Sequence, residues 1–270
     1  MSLARVFDRC REENRAAVIG YLPAGFPSVD GAVQIICAML ENGVDAIEIG
    51  LPYSDPLMDG PDIQQAVDIA LRNGTTTDDV LHTVARVRAA GGAAVVMSYW
   101  NPIERYGVDR FAKALAQAGG LGVVTPDLTI EESAAWAKAT DAHDLDRIYL
   151  VAPSSTPDRI AAIAAQVRGF VYAASTMGVT GARSSVDNAA QDLVARTRAI
   201  TALPIAVGLG VSTGEQAAEI GSYADGVIVG SAFVRRVLAA PDLEQAVTSV
   251  AELASDLAAG VRRARTHQLR

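Results

Sequence analysis

Short and almost continuously apolar runs recur along the chain at roughly even spacing. There are eight of these runs, and each is rich in β-branched residues. Runs of this length and character are typical of buried parallel strands. The predicted strands are Ala16–Leu22, Ala46–Leu51, Ala93–Tyr99, Leu121–Asp127, Arg147–Pro153, Phe170–Ser175, Pro204–Gly210 and Gly226–Ser231.

Segments with helical periodicity lie between these runs. In Val29–Glu41, the residues Val33, Ile36 and Leu40 fall on one face, and a serine before the segment and an Asn-Gly pair after it mark its two ends. Further helices are predicted over Leu3–Glu13, Ile63–Leu71, Asp78–Ala89, Asp109–Ala118, Glu131–Thr140, Pro157–Val167, Asp187–Ala199, Thr213–Ile220 and Leu243–Val261, with a short helical run after Ser231.

The alternation of strands and helices predicts an α/β protein, a closed (β/α)8 or TIM barrel with eight strand–helix units. A doubly wound open sheet is the alternative, although such a sheet usually has fewer strands. The helix Leu3–Glu13 precedes the first unit, and we expect this extra N-terminal helix to cover the bottom of the barrel. No linker, low-complexity run or change in composition divides the chain, so residues 1–270 are predicted to form one domain.

The composition narrows the class of protein and of partner. With 50% hydrophobic and 20% charged residues over 270 positions, the chain can form a large core and is not a disordered protein. A net charge of −8 argues against a nucleic-acid partner, which needs a basic surface. The first residues show no apolar signal segment, and no run of about 18 apolar residues occurs. We therefore expect a cytoplasmic protein without a membrane span.

Glu48 is the most informative charged position, because it interrupts the apolar predicted strand Ala46–Leu51. Alternation along a strand puts Ile47, Ile49 and Leu51 on one face and Glu48 with small residues on the other. The bulky face should pack against helices, so Glu48 should point into the barrel. A buried carboxyl group tends to have a raised pKa, which suits a group that both gives and takes a proton. The alternative is a structural ion pair, but no arginine lies in the interior of a predicted strand.

Asp59 follows the same strand, in the loop sequence LPYSDPLMDGP over Leu51–Pro61. The loop is rich in turn-forming residues, so Asp59 fits a cap of the next helix as well as a functional carboxylate. Other polar side chains near predicted strand ends are further candidates, because the active sites of such barrels lie at the C-terminal ends of the strands. These candidates are Tyr99, Asp127, Tyr172 and Thr180.

Glycine-rich turns follow the last three predicted strands and indicate an anion site. Gly178–Gly181 follows the sixth strand, Gly208–Gly210 ends the seventh, and Gly230-Ser231 ends the eighth and begins a short helical run. Phosphate sites of barrels form from such late loops and a helix N-terminus, where backbone N–H groups point at the anion. Each glycine alone fits an ordinary turn, but the recurrence in successive units favours phosphate binding.

The scarcity of other reactive side chains narrows the chemistry further. The only two lysines, Lys113 and Lys138, lie in predicted helices, so a Schiff-base mechanism is not expected. The three histidines, His82, His143 and His267, lie far apart and on no predicted strand, so no metal site is expected, although carboxylates could still bind Mg²⁺. What remains is a phosphorylated small molecule handled by carboxylate acid–base chemistry. A sugar-phosphate isomerase or epimerase, and a catalytically silent barrel that activates a partner, stay open as alternatives.

Four motifs together carry a resemblance to a known family. They are EIGLPYSDPLMDGP at Glu48–Pro61, GVTG at Gly178–Gly181, GLGV at Gly208–Val211 and GVIVGSA at Gly226–Ala232. In these motifs the chain closely resembles the tryptophan synthase α subunit family. The resemblance follows the chain in order from YLPAGFP at Tyr21–Pro27 to the last strand, and the second-strand motif is long and specific.

The resemblance implies an indole-3-glycerol-phosphate lyase of tryptophan biosynthesis, which releases indole and glyceraldehyde 3-phosphate by retro-aldol cleavage without a metal or cofactor in this chain. It assigns acid–base catalysis to Glu48 and acceptance of the indole N–H to Asp59, and it places Thr180 in a mobile lid. The implied phosphate ligands are Gly181, Gly210, Gly230 and Ser231. The implied indole pocket includes Tyr21, Met97, Tyr99 and Tyr172.

The resemblance also implies a partner, a β subunit that carries pyridoxal phosphate, in an α2β2 complex. The loop after the second strand and the segment Asn101–Gly107 match the family's contact surface for that subunit. The chain departs from the family at two places: Thr176-Met177 stands where many members have Arg-Ser, and Leu209 replaces a common phenylalanine. These departures could change lid closure or pocket shape, but they leave both carboxylates in place.

Overall fold

The computed structural model describes residues 2–174, 183–208 and 210–264. The strands in these ranges are short, and they fall within the predicted apolar runs or within one residue of them. They are β1 Ala17–Pro23, β2 Ala46–Gly50, β3 Ala94–Met97, β4 Gly122–Val124, β5 Asp146–Ile148, β6 Leu150–Val151, β7 Val171–Ala174, β8 Ile205–Gly208 and β9 Gly226–Val229.

The strands form one parallel sheet that curves into a nearly closed barrel. The strand order is β5-β4-β3-β2-β1-β9-β8-β7-β6, and only Tyr149 separates β5 from β6 in the chain. The two ends of the sheet therefore meet at the fifth strand position. The predicted fifth strand divides in two because β5 pairs with β4, whereas β6 pairs with β7. The predicted (β/α)8 barrel is confirmed.

Helices surround the barrel and follow most of the predicted segments. They are α1 Leu3–Glu12, α2 Val29–Glu41, α3 Pro61–Arg72, α4 Thr77–Ala89, α5 Trp100–Tyr106, α6 Val108–Gln117, α7 Ala134–Ala142, α8 Pro157–Gln166, α9 Arg183–Arg198, α10 Gly214–Gly221, α11 Ser231–Ala239 and α12 Leu243–Ala264. The limits of α2 agree with the prediction because Ser28 caps its first turn through the Gly31 N–H, at 3.0 Å. In the described ranges, no helix combines the length and the apolar character needed to cross a membrane.

The two faces of β2 separate as the alternation of its residues predicts. Ile47 and Ile49 are fully buried in the layer between the strands and the surrounding helices, whereas Ala46 belongs to the apolar cluster inside the barrel. Glu48 lies on the same face as Ala46 and is also buried. The strand therefore directs one carboxyl group into the barrel.

Helix α1 covers the bottom of the barrel, as its pattern predicts. Leu3, Val6, Phe7 and Cys10 are spaced to share one helix face, and all four are buried in the interior cluster. The ring of Phe7 packs against that of Phe170, with 5.5 Å between their centroids. The bottom is thus closed by apolar packing, and the opposite end remains available for a site.

A buried ion pair joins the segments that lead into β1 and β2. Arg15 donates two hydrogen bonds to Asp45, at 2.6 and 2.8 Å, and Arg9 and the Val18 N–H donate to the same carboxylate. Burial raises the pKa of Asp45, but the hydrogen bonds and charge of Arg15 outweigh burial and hold that pKa below its usual range. The pair therefore stabilises the folded barrel when Asp45 is ionised.

The Asp45→Asn variant should have a free energy of unfolding that is lower by about 2 kcal/mol at neutral pH, because buried Arg15 loses its counterion. A carboxyl group with a depressed folded pKa stabilises the protein above its unfolded pKa, and this stability is lost as the pH falls through the folded pKa. The difference between wild type and variant should therefore shrink below roughly pH 4. Urea unfolding at several pH values measures this difference in the free energy of unfolding. A difference that stays constant in acid would contradict the stabilising role of ionised Asp45.

Candidate active site

A cavity of about 620 Å³ opens at the C-terminal ends of the strands. Because parallel strands end at the same rim, residues that are far apart in sequence converge there. Predicted site residues from several strands and loops line this cavity together: Tyr21, Glu48, Asp59, Met97, Tyr172, Gly210, Gly230 and Ser231. Its size and mostly apolar wall suit a small molecule with an apolar body.

Glu48 is the carboxyl group at the centre of this site. It is 1% exposed, it lies beside Tyr21 of β1 and Val95 of β3 in the sheet, and its Oε1 atom has no hydrogen-bond partner among the described residues. Burial raises the pKa of Glu48 to about 8. The group is therefore mostly protonated at neutral pH and can lose and regain a proton close to that pH.

The structural alternative for Glu48, an ion pair with an arginine, is absent from the described residues. Arg147 lies in β5, but its guanidinium bonds outside the barrel, to the Thr140 hydroxyl and the Asp141 carboxylate. Glu48 thus carries the cost of burial without a compensating charge, and such residues are more common at functional sites than elsewhere.

Two tyrosines lie near Glu48, and each fits there only because a neighbouring residue is a glycine without a side chain. A Cβ atom at Gly50 would lie 2.4 Å from the Tyr21 hydroxyl oxygen, and a Cβ atom at Gly208 would lie 2.4 Å from that of Tyr172. Burial, followed by nearby acidic groups that include Glu48, raises the pKa of both phenols. Both therefore remain neutral, and they border Glu48 without providing a counterion.

Asp59 does not cap the helix that follows it. The N-cap of α3 is Gly60, which offers no side chain, and the Asp59 carboxylate instead accepts a hydrogen bond from the Tyr99 hydroxyl at 3.0 Å. Burial raises the pKa of Asp59, and the hydrogen bond from Tyr99 opposes that rise. The loop thus presents a half-buried carboxylate to the cavity, and the helix-cap interpretation of Asp59 is wrong.

The start of α11 borders the cavity and has the geometry of an anion site. Gly230 is the N-cap of this helix and Ser231 its first residue, and Gly210 adds a backbone segment with a φ of +69°. The first N–H groups of a helix have no partner within the helix and favour an anion. Three of the four predicted phosphate ligands are thus brought together, and no lysine or arginine lines the cavity among the described residues.

The remaining predicted residues divide into two groups. Tyr99 and Asp127 do not line the cavity: Tyr99 lies behind Asp59, and Asp127 accepts hydrogen bonds from the Trp100 N–H at the start of α5, at 2.9 and 3.1 Å. Outside the described residues lie Thr176, Met177, Thr180, Gly181 and Leu209.

Sequence analysis missed part of the wall. Apolar residues from the barrel strands, from the loop after β6 and from α3 line the cavity, and Ser154 adds a hydroxyl after β6. The missed apolar residues include Ile63, Val124, Leu150 and Pro153. Polar character at strand ends does not identify these apolar residues, and among them only Pro153 stands at the end of a predicted strand.

No metal centre accompanies the cavity in the part of the chain that the structure describes. No three side chains of His, Cys, Asp or Glu lie close enough there to hold a metal ion. Both lysines lie on outer helices, Lys113 in α6 and Lys138 in α7, away from the cavity lining. The acid–base groups that the cavity presents are therefore carboxyl and phenol groups.

A family model described as tryptophan synthase alpha chain matches residues 7–262. The chain belongs to this family. The tryptophan synthase alpha chain of Acidothermus cellulolyticus is 61% identical, with 94% of this chain and 95% of the relative covered. That of Thermobifida fusca is 59% identical, with 97% and 98% covered.

Solved structures agree with the match in sequence. The structure of tryptophan synthase from Mycobacterium tuberculosis superposes with a TM-score of 0.89 at 55% identity, covering 96% of this chain and 98% of that one. The alpha subunit from Legionella pneumophila gives the same TM-score of 0.89 at 29% identity, covering 97% and 99%. The barrel is thus the fold of tryptophan synthase alpha chains.

Membership makes the chain a carbon–carbon lyase of tryptophan biosynthesis, as the resemblance implies. It also removes the alternatives of a sugar-phosphate isomerase or epimerase and of a silent barrel. Tryptophan synthase alpha chains function with a beta subunit, so a partner chain is part of the assignment.

Proposed function

We propose that the cavity cleaves indole-3-glycerol phosphate into indole and glyceraldehyde 3-phosphate, with Glu48 and Asp59 as the two catalytic carboxyl groups. The observation that carries the proposal is Glu48 itself, which is buried, lacks a hydrogen-bond partner at Oε1, and faces the same cavity as Asp59 and the start of α11. The proposed acid Glu48, the proposed N–H acceptor Asp59 and the proposed anion site at the start of α11 thus border one cavity that is large enough for the substrate.

Glu48 acts first as an acid and then as a base. Its carboxyl group protonates C3 of the indole ring, which leaves positive charge on the ring and a carboxylate on the enzyme. The carboxylate then takes the proton of the hydroxyl next to the ring, and the C–C bond breaks as the aldehyde forms. The bonding electrons return to the indole, and Glu48 ends protonated again. A pKa of about 8 suits both steps near neutral pH.

Asp59 accepts the indole N–H and balances the positive charge that develops on the ring. A carboxylate placed where charge develops stabilises the transition state more than the ground state. The resemblance adds Thr180 as part of a lid whose closure would bring Asp59 into place and exclude water. The partial burial of Asp59 supports this role, because charge interactions strengthen as water is removed.

The phosphate group binds at the start of α11, between Gly210, Gly230 and Ser231, with Gly181 as the fourth ligand implied by the resemblance. Backbone N–H groups and the Ser231 hydroxyl provide the donors. This arrangement explains how a chain with a net charge of −8 accepts an anionic substrate. It also anchors the end of the substrate opposite the indole ring.

The beta subunit binds at the rim of the cavity, in an α2β2 complex. The surface that the resemblance implies consists of the loop after β2 and the segment Asn101–Gly107, which contains most of α5. Leu57 and Met58 in this loop are 76% and 56% exposed, as expected for apolar side chains that a partner covers. Pyridoxal phosphate belongs to the beta subunit, this chain uses no cofactor of its own, and the complex is cytoplasmic.

Production of indole from indole-3-glycerol phosphate tests the proposed function. The full-length chain, alone and with a tryptophan synthase beta subunit, should release indole and glyceraldehyde 3-phosphate in equal amounts. Treatment with EDTA should leave the rate unchanged, because both proton transfers use Glu48. Absence of indole in both arms would overturn the function, and inhibition by EDTA would overturn the metal-free chemistry.

A further inference from the structure

The hydroxyl group of Tyr99 makes two hydrogen bonds, and both go to the loop after β2. It donates to Asp59 Oδ1 at 3.0 Å, and it accepts from the Met58 N–H at 2.9 Å. A phenol can donate one hydrogen bond and accept others, so this single hydroxyl fixes the carboxylate and the adjacent backbone together. Asp59 and Met58 are thereby tied to a residue about 40 positions away, at the end of β3.

Tyr99 is itself held rigidly. It is 4% exposed, and hydrogen bonds fix the residue on either side of it: the Ser98 N–H donates to the Val124 carbonyl at 3.1 Å, and the Trp100 N–H donates to Asp127. The hydroxyl therefore comes from a buried residue next to the barrel wall rather than from an exposed surface group. A donor on a rigid element orients its acceptor more narrowly than a donor on a loop.

Besides Tyr99, the loop is anchored near Asp59 by Gln64 of α3, whose side-chain amide donates to the Asp59 backbone carbonyl at 2.7 Å. Leu57 and Met58, directly before it, are largely exposed, and earlier in the loop the ring of Tyr53 packs against the ring of Tyr99 with 5.6 Å between centroids. Tyr99 thus contacts the loop at both ends, through its ring and through its hydroxyl. Loss of the hydroxyl alone would keep the ring contact and the Gln64 hydrogen bond, and it would release the Asp59 carboxylate and the Met58 N–H.

We propose that Tyr99 is a positioning residue for the lyase reaction, which holds Asp59 at the cavity rim in the orientation and the ionised state that accept the indole N–H. This role rests on the function proposed above for Asp59. Tyr99 does not line the cavity, so it acts through Asp59 and not on the substrate. The resemblance implies instead that Tyr99 lines the indole pocket.

The charges around Asp59 support this role. Among the described residues, Tyr99 donates to the carboxylate, neutral Tyr21 and Glu48 share the cavity, and the neighbouring Asp62 on α3 is paired with Arg235 of α11 at 3.2 Å. Burial raises the pKa of Tyr99 to about 12, so its proton stays on the hydroxyl at every practical pH. The hydroxyl is therefore a permanent donor that favours the carboxylate form of Asp59.

The Tyr99→Phe variant should have a kcat about tenfold lower than wild type, because a hydrogen bond to a charged group is lost while the ring remains. The acid limb of its kcat/KM profile should move to higher pH, since Asp59 without its donor needs a higher pH to ionise. In the Asp59→Ala background, which removes the acceptor of the Tyr99 hydroxyl, Tyr99→Phe should have no further effect on the rate, because its action passes through that carboxylate. Steady-state kinetics on the full-length chain with a beta subunit measure all three.

Tyr149→Phe is the matched control. Tyr149 is equally buried, and it lies between β5 and β6 outside the cavity lining. This variant should match wild type in rate and pH profile. If wild type makes no indole, the proposed function fails. If wild type is active and Tyr99→Phe matches it, or loses thermal stability with an unshifted pH profile, the positioning role alone fails.

Discussion

The Glu48→Gln variant should lose nearly all lyase activity, with kcat lower by about 10³-fold to 10⁴-fold, because both proton transfers are assigned to this one carboxyl group. Glutamine has almost the same volume and cannot exchange a proton near neutral pH. The wild-type kcat should also fall as the pH rises through about 8, where the acid form of Glu48 disappears. Indole release from indole-3-glycerol phosphate across pH 6 to 9 measures both effects.

Two further measurements separate the loss of chemistry from damage to the fold. The affinity of Glu48→Gln for glyceraldehyde 3-phosphate should equal that of wild type, because the proposed phosphate site at the start of α11 does not involve Glu48. Its thermal unfolding temperature should exceed that of wild type by a margin that grows as the pH rises from about 4.5 to about 8, since a carboxyl group with a raised pKa in the folded state costs stability over that interval. Turnover within tenfold of wild type would remove Glu48 from the mechanism.

The sequence alone predicts the direction of the Glu48 side chain, but it does not decide whether Asp59 caps a helix. The difference has a physical reason. The direction of Glu48 follows from the period of two within a strand, which is a local property of Ala46–Gly50. The role of Asp59 depends on a contact with Tyr99, which comes from another strand end. Local turn chemistry fits a helix cap equally well, and only the tertiary hydrogen bond distinguishes the two.

Other differences from the predicted fold have the same origin. The fifth strand divides because its two halves pair with different neighbours, and a pattern within one segment does not report its partners. Helix α5 begins directly after a strand end and has only seven residues, which is too short for a helical period to appear. The proline in its first turn, Pro102, is compatible with a helix start and with a turn.

The apolar part of the cavity wall is the least predictable feature. Leu150 and Val124 look like ordinary strand residues in the sequence, and only closure of the barrel brings them to the same cavity as Glu48.

The glycines after the late strands are predictable from the sequence as a group, but the role of each one is not. Gly208 makes room for the Tyr172 ring, whereas Gly230 caps the helix at the proposed phosphate site. Identical residues in similar turns thus serve packing in one case and binding in the other.

The Asp59→Asn variant should lower kcat/KM by about 10²-fold to 10³-fold, because the neutral amide cannot balance the positive charge that develops on the indole ring. Asparagine keeps a carbonyl oxygen that can accept the Tyr99 hydroxyl, so the loop should stay in place and thermal unfolding should not change. Asp68→Asn is the matched control, since Asp68 is an exposed residue of α3 paired with Arg72. The control should have wild-type rates in the same steady-state assay. Near-wild-type rates for Asp59→Asn would leave Asp59 with only a structural role in its loop, whereas a rise in KM at unchanged kcat would show that it binds substrate and transition state equally.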